Sequence, residues 1–213
     1  RSLSSQGRFW GEPPVPAPRD NRAIAPKDAV RLLELKNVGL AQIENEKFDD
    51  CDAAFAEISE ALPDEPLGPR DLTIARLLAA EQIDSQRDAV RHAAALKEVE
   101  SALQMMRVRE GDSAPFHVLT ARWAAASGDE RRAAEELTQA AELAPENPAI
   151  WFELYESLRN SDDREFRERS RKALARAWRR RPQNLHLLIE MLQMQDRAHD
   201  PAIVDTLTGA KET

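Results

Sequence analysis

Hydrophobic residues recur three and four positions apart along most of this chain, which is the pattern of helices with one buried face. In residues 133–143 the small and apolar side chains fall at positions i, i+4, i+7 and i+8. The same three-and-four spacing follows Cys51, at Phe55, Ile58 and Leu62. These runs are separated by connections of a few residues, as in antiparallel helix pairs. The pattern therefore predicts an all-α protein.

Prolines divide the chain into segments. Five of the 13 prolines lie within the first 30 residues, in a stretch that contains GEPPVPAP. Because each proline ring fixes φ and disfavours helix at the preceding residue, residues 1–27 are predicted to form an extended arm. The other prolines lie outside or at the edges of apolar-periodic runs, where a helix begins or has just ended. Residues 28–207 are predicted to form the helical domain, and residues 208–213 a tail or linker.

The segment GDERRAAEELTQAAELAPENPAIW, residues 128–151, orders its residues as a stacked helical hairpin requires. Gly128 begins a turn, Ala133 permits close helix contact and Leu137 fills a gap. Pro145 then ends the helix, and Trp151 belongs to the next apolar run. This order resembles the tetratricopeptide repeat, whose 34-residue pattern is W-x₂-L-G-x₂-Y, then A-x₃-F, then P.

The same pattern recurs elsewhere in the chain. Upstream, Gly39, Cys51, Phe55 and Pro63 take the Gly, small, Phe and Pro positions of one repeat in a single register. A second unit follows, stretched by about ten residues, which predicts a longer loop or longer helices there. After two further units, LHLLIEMLQMQDR is predicted to be a first helix, and residues 201–207 a short second helix or cap.

The resemblance implies a right-handed α-solenoid of about four to five degenerate repeats, built from stacked antiparallel helix pairs. In this family the first helices of successive repeats line a concave groove that binds other proteins. The Lys/Asn/Arg set with which some members hold a chain-terminal carboxylate is incomplete here, so such a clamp is the less favoured interpretation. The resemblance assigns to the groove Lys36, Leu40, Ile43, Arg70, Ile74, Leu77, Val118, Arg122, Phe152, Glu156 and Arg159.

Charge is unevenly distributed along the chain. The formal charge of −8 and the pI near 5.2 argue against nucleic-acid binding by the protein as a whole. Residues 164–181, in contrast, contain nine basic residues and two acidic ones. Three interpretations remain open: a solvated outer helix, which is favoured, a docking face for an acidic protein, and a site for nucleic acid or anionic lipid. The predicted basic face comprises Arg171, Lys172, Arg176, Arg179, Arg180 and Arg181.

The sequence contains no recognisable catalytic or metal-binding motif. Its four histidines lack HExxH or HxH spacing, and its seven glycines form no phosphate-binding loop. The single cysteine, Cys51, falls in a small-residue core position, which favours a buried, inert thiol. No apolar run reaches the roughly 18 residues that span a bilayer. We therefore expect no enzymatic activity, no cofactor or metal, and no small-molecule substrate.

These features favour a protein–protein interaction scaffold, or an accessory subunit of a larger assembly. It would bind another subunit or a peptide segment through the groove and through the arm, where Phe9 and Trp10 precede the prolines. One alternative is that the repeats belong to a longer polypeptide whose functional domain lies elsewhere. A second is binding of RNA or anionic lipid through residues 164–181. Proline-rich arms precede repeat arrays in bacterial periplasmic and envelope proteins and also in cytoplasmic scaffolds, so both compartments stay open, with the envelope favoured.

Overall fold

The computed structural model describes residues 26–62, residue 65 and residues 67–197, and these contain nine α-helices and no strand. The predicted all-α class is therefore confirmed. Phe9, Trp10 and the predicted cap at residues 201–207 lie outside the described residues. The helices are α1 (Pro26–Glu44), α2 (Phe48–Ala61), α3 (Leu67–Glu81), α4 (Ala89–Glu110), α5 (Ala114–Ala126), α6 (Glu130–Leu143), α7 (Pro148–Leu158), α8 (Arg164–Arg180) and α9 (Leu185–Arg197).

Most of these helices begin at a polar residue that satisfies a free backbone N–H group. The side chains of Asp88, Ser113, Asp129, Asn147 and Asp163 each accept a hydrogen bond from a backbone N–H two or three residues further on. A proline also occupies one of the first two positions of α5 and of α7, where its missing N–H costs no hydrogen bond. The prolines thus mark helix starts, as predicted.

Two boundaries refine the sequence prediction. The helix α1 begins at Pro26, so the last two residues assigned to the arm already belong to a helix. The extra residues of the second unit lengthen both its loop and its helix. Residues 82–88 connect α3 to α4, and α4, at 22 residues, is the longest of the described helices.

The core is divided into three clusters that follow one another along the chain. The first joins α1, α2, α3 and α4 around Phe55 and Leu72. The second joins α3, α4 and α5 around Leu77 and Met106. The third joins α5 to α9 and includes the fully buried Leu174. Each helix pair therefore packs mainly on its neighbours, which is the arrangement of a solenoid.

Gly39 allows α1 and α2 to approach closely. A Cβ atom at Gly39 would lie 2.7 Å from Cζ of Phe55, well inside van der Waals contact. The ring of Phe55 is fully buried and fills the space that this glycine leaves. The residues at the Gly and Phe positions of the first repeat are therefore in direct contact.

Ala133→Leu is expected to destabilise the protein by about 1–3 kcal/mol, because Ala133 is buried on α6 and a larger side chain would overpack this helix crossing. Equilibrium unfolding in urea measures the change. The matched control is Gln139→Leu, which adds an apolar side chain at an exposed position of the same helix. Equal stability of the wild type and Ala133→Leu would show that the larger side chain fits into the space between α5, α6 and α7, and that Ala133 does not lie at a close crossing.

Candidate protein-binding groove

The helices α5 and α7, each the first of a helix pair, and the last described helix, α9, are linked side by side by polar contacts. Nε of Arg122 on α5 donates a hydrogen bond of 2.6 Å to Glu153 on α7. The hydroxyl of Tyr155 on α7 donates one of 2.5 Å to Glu190 on α9. These contacts place the three helices along one surface, and we refer to this surface as the groove.

The predicted groove residues of α5 and α7 fall into an apolar and a charged set. Val118 and Phe152 are half-buried and pack against the third core cluster. Arg122, Glu156 and Arg159 are exposed. The groove thus has two partly exposed apolar side chains with charged side chains beside them.

The charged groups of the groove neutralise one another. Besides the bond between Arg122 and Glu153, Arg159 lies 3.1 Å from Glu156 and 3.7 Å from Glu190. Each arginine therefore has a carboxylate within ion-pairing distance. Such partly exposed pairs contribute little to stability, but they leave no uncompensated cation in this part of the groove.

Tyr155 remains a hydrogen-bond donor in this arrangement. Burial of the phenol, together with its hydrogen bond to Glu190, raises the pKa of Tyr155 above its ordinary value. At neutral pH the phenol is consequently protonated and donates to the carboxylate. The contact between α7 and α9 is thus a charge-assisted hydrogen bond.

A cavity of about 440 Å³ opens between α5, α6 and α7. Arg122, Glu153 and Glu156 form part of its polar wall, while Leu137 and Phe166 contribute apolar surface. Ala133, one of the small residues identified in the sequence, also lines it. Two of the predicted groove residues, Arg122 and Glu156, therefore border a concave site of side-chain size.

Four groove residues, Tyr155 and the three described next, were not assigned to the groove from the sequence. His186 on α9 packs edge-on against Phe152, with 5.1 Å between ring centroids. Glu153 and Glu190 hold the two polar contacts that join the helices. His186 and Glu190 lie in the segment that the sequence predicts as a first helix, residues 185–197, and first helices line the groove. This was the sequence signal that could have assigned them to the groove.

The predicted groove positions of α3 are only partly available to a partner. Leu77 is 2% exposed and belongs to the second core cluster, so its side chain is core and not binding surface. Ile74 is half-buried against the same cluster. Arg70 donates two hydrogen bonds, of 2.9 and 2.8 Å, to the carboxylate of Glu110 on α4.

The predicted groove positions of α1 differ from one another in exposure. Leu40 is exposed, whereas Lys36 and Ile43 are half-buried. Ile43 packs against the first core cluster. On α1, therefore, Leu40 is the most accessible of the three assigned positions.

Two residues of the predicted basic face are used within the fold. The guanidinium of Arg176 lies 4.5 Å from the centroid of the Trp151 ring, and Arg180 lies 2.6 Å from Glu146. The first contact links α8 to α7, and the second links α8 to the connection between α6 and α7. These two arginines thus help to hold α8 in place.

The other four residues of the basic face are turned to solvent. Lys172 pairs with Glu168 of its own helix at 3.1 Å. Arg171, Arg179 and Arg181 are exposed, and no ion pair of their side chains to another described residue is seen. This arrangement agrees with a solvated outer helix and also leaves three cations accessible.

The described residues contain no cluster of three or more side chains suited to hold a metal ion. His117 is buried, and its Nδ1 lies 2.7 Å from Glu136. This pair links α5 to α6 inside the fold. Cys51 is buried, as predicted, and its thiol donates to the carbonyl of Phe48.

None of the helices in the described part of the chain combines the length and hydropathy needed to cross a bilayer. No protein-family model and no curated sequence matches the chain. Similarity is found among solved structures, where sequence identity is low and the likeness concerns the fold alone.

The first such structure is TTC0263, a thermophilic TPR protein from Thermus thermophilus. It is similar with a TM-score of 0.64 at 19% identity, over 75% of this chain and 79% of that chain. A crystal structure of MamA is similar with a TM-score of 0.56 at 13% identity, over 82% of this chain and 93% of that chain. Together with the nine described helices, these likenesses establish a tetratricopeptide-like helical repeat protein with a right-handed α-solenoid fold. Solenoids of this kind present extended concave surfaces that bind other proteins.

Proposed function

We propose that this protein is a non-catalytic scaffold, or an accessory subunit of a larger assembly, that binds a peptide segment of another protein in the groove of α5, α7 and α9. The observation that carries the proposal is that Val118 and Phe152 are half-buried on α5 and α7, the helices whose Arg122 and Glu153 line the cavity between α5, α6 and α7. Apolar side chains next to a concave site give a partner an anchoring point, and interface hot spots form where such anchors are fully desolvated.

The paired charges of the groove indicate what kind of segment fits. A chain-terminal carboxylate would have to compete with Glu153 for Arg122, or with Glu156 and Glu190 for Arg159. If a ligand carboxylate took over one of these arginines, the glutamate that now pairs with it would lose its cation. The free energy lost there would offset much of the free energy gained by binding. An internal peptide segment that places an apolar or aromatic side chain against Phe152 avoids this cost.

The arm supplies a second element of the proposal. Phe9 and Trp10 combine large apolar side chains with a proline-rich stretch that favours the polyproline II conformation, a form that partner domains recognise at low entropic cost. In this proposal the arm contacts the same assembly as the groove. The alternative is that the solenoid serves a functional domain of a longer polypeptide, in which case the groove binds a segment of that polypeptide.

Phe152→Ala is expected to weaken partner binding at least about tenfold, which corresponds to about 1.4 kcal/mol, because it removes the apolar anchor. The whole chain is immobilised, partners are captured from the source cell and identified by mass spectrometry, and peptides of each captured protein are titrated by calorimetry. Gln139→Ala is the control, since this exposed residue lies on α6 and outside the groove.

The melting temperature of each variant is measured first, so that a loss of fold is not mistaken for a loss of binding. The expected outcome is a peptide that binds the wild type and Gln139→Ala equally and Phe152→Ala more weakly. Equal affinity for all three folded proteins would place the binding site outside the groove and contradict the proposal.

A further inference from the structure

The first helix has an apolar face that nothing in the described structure covers. Leu32 and Leu35 of α1 pack against the first core cluster. On the other side of the helix Val30, Leu33 and Leu40 are 56%, 60% and 40% exposed. Their spacing of three and seven residues places them along one side of α1. We refer to Val30, Leu33 and Leu40 as the α1 face.

The last described helix has an equivalent face. Leu187 and Met191 of α9 are buried in the third core cluster. Leu185 and Ile189, four residues apart and therefore on one side of the helix, are 67% and 42% exposed. We refer to Leu185 and Ile189 as the α9 face. Each end of the described solenoid thus presents an apolar surface of the kind that internal helices bury against their neighbours.

The two ends also carry opposite charge. Residues 26–62, which form α1 and α2, contain nine acidic and four basic residues. Residues 164–197, which contain α8 and α9, hold ten basic and four acidic residues. Because Arg176 and Arg180 face the preceding helices, helical geometry places Arg167 and Arg171 on the opposite flank of α8.

We propose that the α1 face of one copy of this chain docks on the α9 face of a second copy, so that the solenoids associate head to tail. The apolar faces supply the contact, and the acidic α1–α2 pair of one copy lies near the basic α8 of the other. Complementary charge favours this pairing over contact between two identical ends, where like charges meet. The two surfaces differ, so each copy keeps one free surface and the association continues beyond a dimer unless the rotation closes a ring.

The experiment measures the mass of the whole chain by sedimentation over a range of protein concentrations. Leu33→Lys places a charge in the α1 face and leaves the α9 face intact. Leu185→Lys places a charge in the α9 face and leaves the α1 face intact. Val90→Lys is the matched control, since Val90 is 83% exposed on α4 and belongs to neither face. Circular dichroism confirms that all three variants fold.

The wild type and Val90→Lys are expected to form species larger than a dimer as concentration rises, and high salt is expected to weaken this association. Leu33→Lys and Leu185→Lys are each expected to stay monomeric. An equimolar mixture of the two is expected to form dimers and nothing larger, because one intact α1 face and one intact α9 face remain in the pair.

Three results would overturn the proposal. The first is a wild type that stays monomeric at every concentration. The second is a mixture of the two variants that does not associate, which would indicate contact between identical ends or through another surface. The third is a monomeric chain that associates only after removal of residues 1–25 or 198–213, which would show that its own terminal segments occupy these faces.

Discussion

Phe55→Ala is expected to lower the free energy of unfolding by about 3–5 kcal/mol, one of the two largest effects expected for this chain. The ring of Phe55 is fully buried between α1 and α2, opposite Gly39. Its removal leaves a cavity that the surrounding helices cannot fill, because Gly39 has no side chain to move into it. Equilibrium unfolding in urea, followed by circular dichroism, measures the loss.

A second substitution tests whether Gly39 and Phe55 fit each other as described. In the wild type, Gly39→Ala brings a Cβ atom to 2.7 Å from Cζ of Phe55, so this overlap opposes the gain of up to about 1 kcal/mol in helix propensity. In the Phe55→Ala background the overlap is absent, and Gly39→Ala is expected to stabilise. Additive effects of the two substitutions would contradict a direct contact.

Leu174→Ala is expected to cost about 2–5 kcal/mol, because Leu174 is fully buried in the cluster that joins α5 to α9. The loss should appear as a lower urea midpoint. The control is Leu143→Ala, which removes the same atoms from a leucine that is 54% exposed on α6 and should change stability by less than about 0.5 kcal/mol. If Leu174→Ala changed stability as little as Leu143→Ala, burial of Leu174 in this cluster would not contribute to the stability of the fold.

Helix positions and close helix contacts were accessible from the sequence because local chemistry fixes them. The turn at Gly128 has φ of 83°, a conformation that favours glycine, and the residue type alone indicates it. The register of the repeat pattern gave Gly39 and Phe55 their positions in the first repeat, and the structure adds that the two are in contact. The helix α9 covers the whole of the predicted LHLLIEMLQMQDR segment.

The assignment of individual side chains to the groove was less successful, since it depends on which neighbours cover each helix. Leu77 lies 34 positions after Ile43 and was assigned to the groove by that shift. In α3, however, this position is buried in the second core cluster, which also contains Met106 of α4 and Phe116 of α5. The periodic pattern indicates that a residue lies on an inner face, but not which neighbouring helix it meets.

The ion pairs of the groove could not be predicted for a different reason. Arg122 and Glu153 are 31 residues apart, and Tyr155 and Glu190 are 35 apart. Arginine and glutamate side chains are long and can reach several partners, so the choice depends on the packed positions of the helices. The repeat length of 34 residues places such positions on neighbouring first helices but does not select the pairs.

The contacts of Arg122 with Glu153 and of Tyr155 with Glu190 join neighbouring helices on the groove side, α5 with α7 and α7 with α9. Both contacts oppose a rotation that would move these helices apart. A ligand group that replaced one of these hydrogen bonds would remove the restraint, and the two helices could then move apart on the groove side.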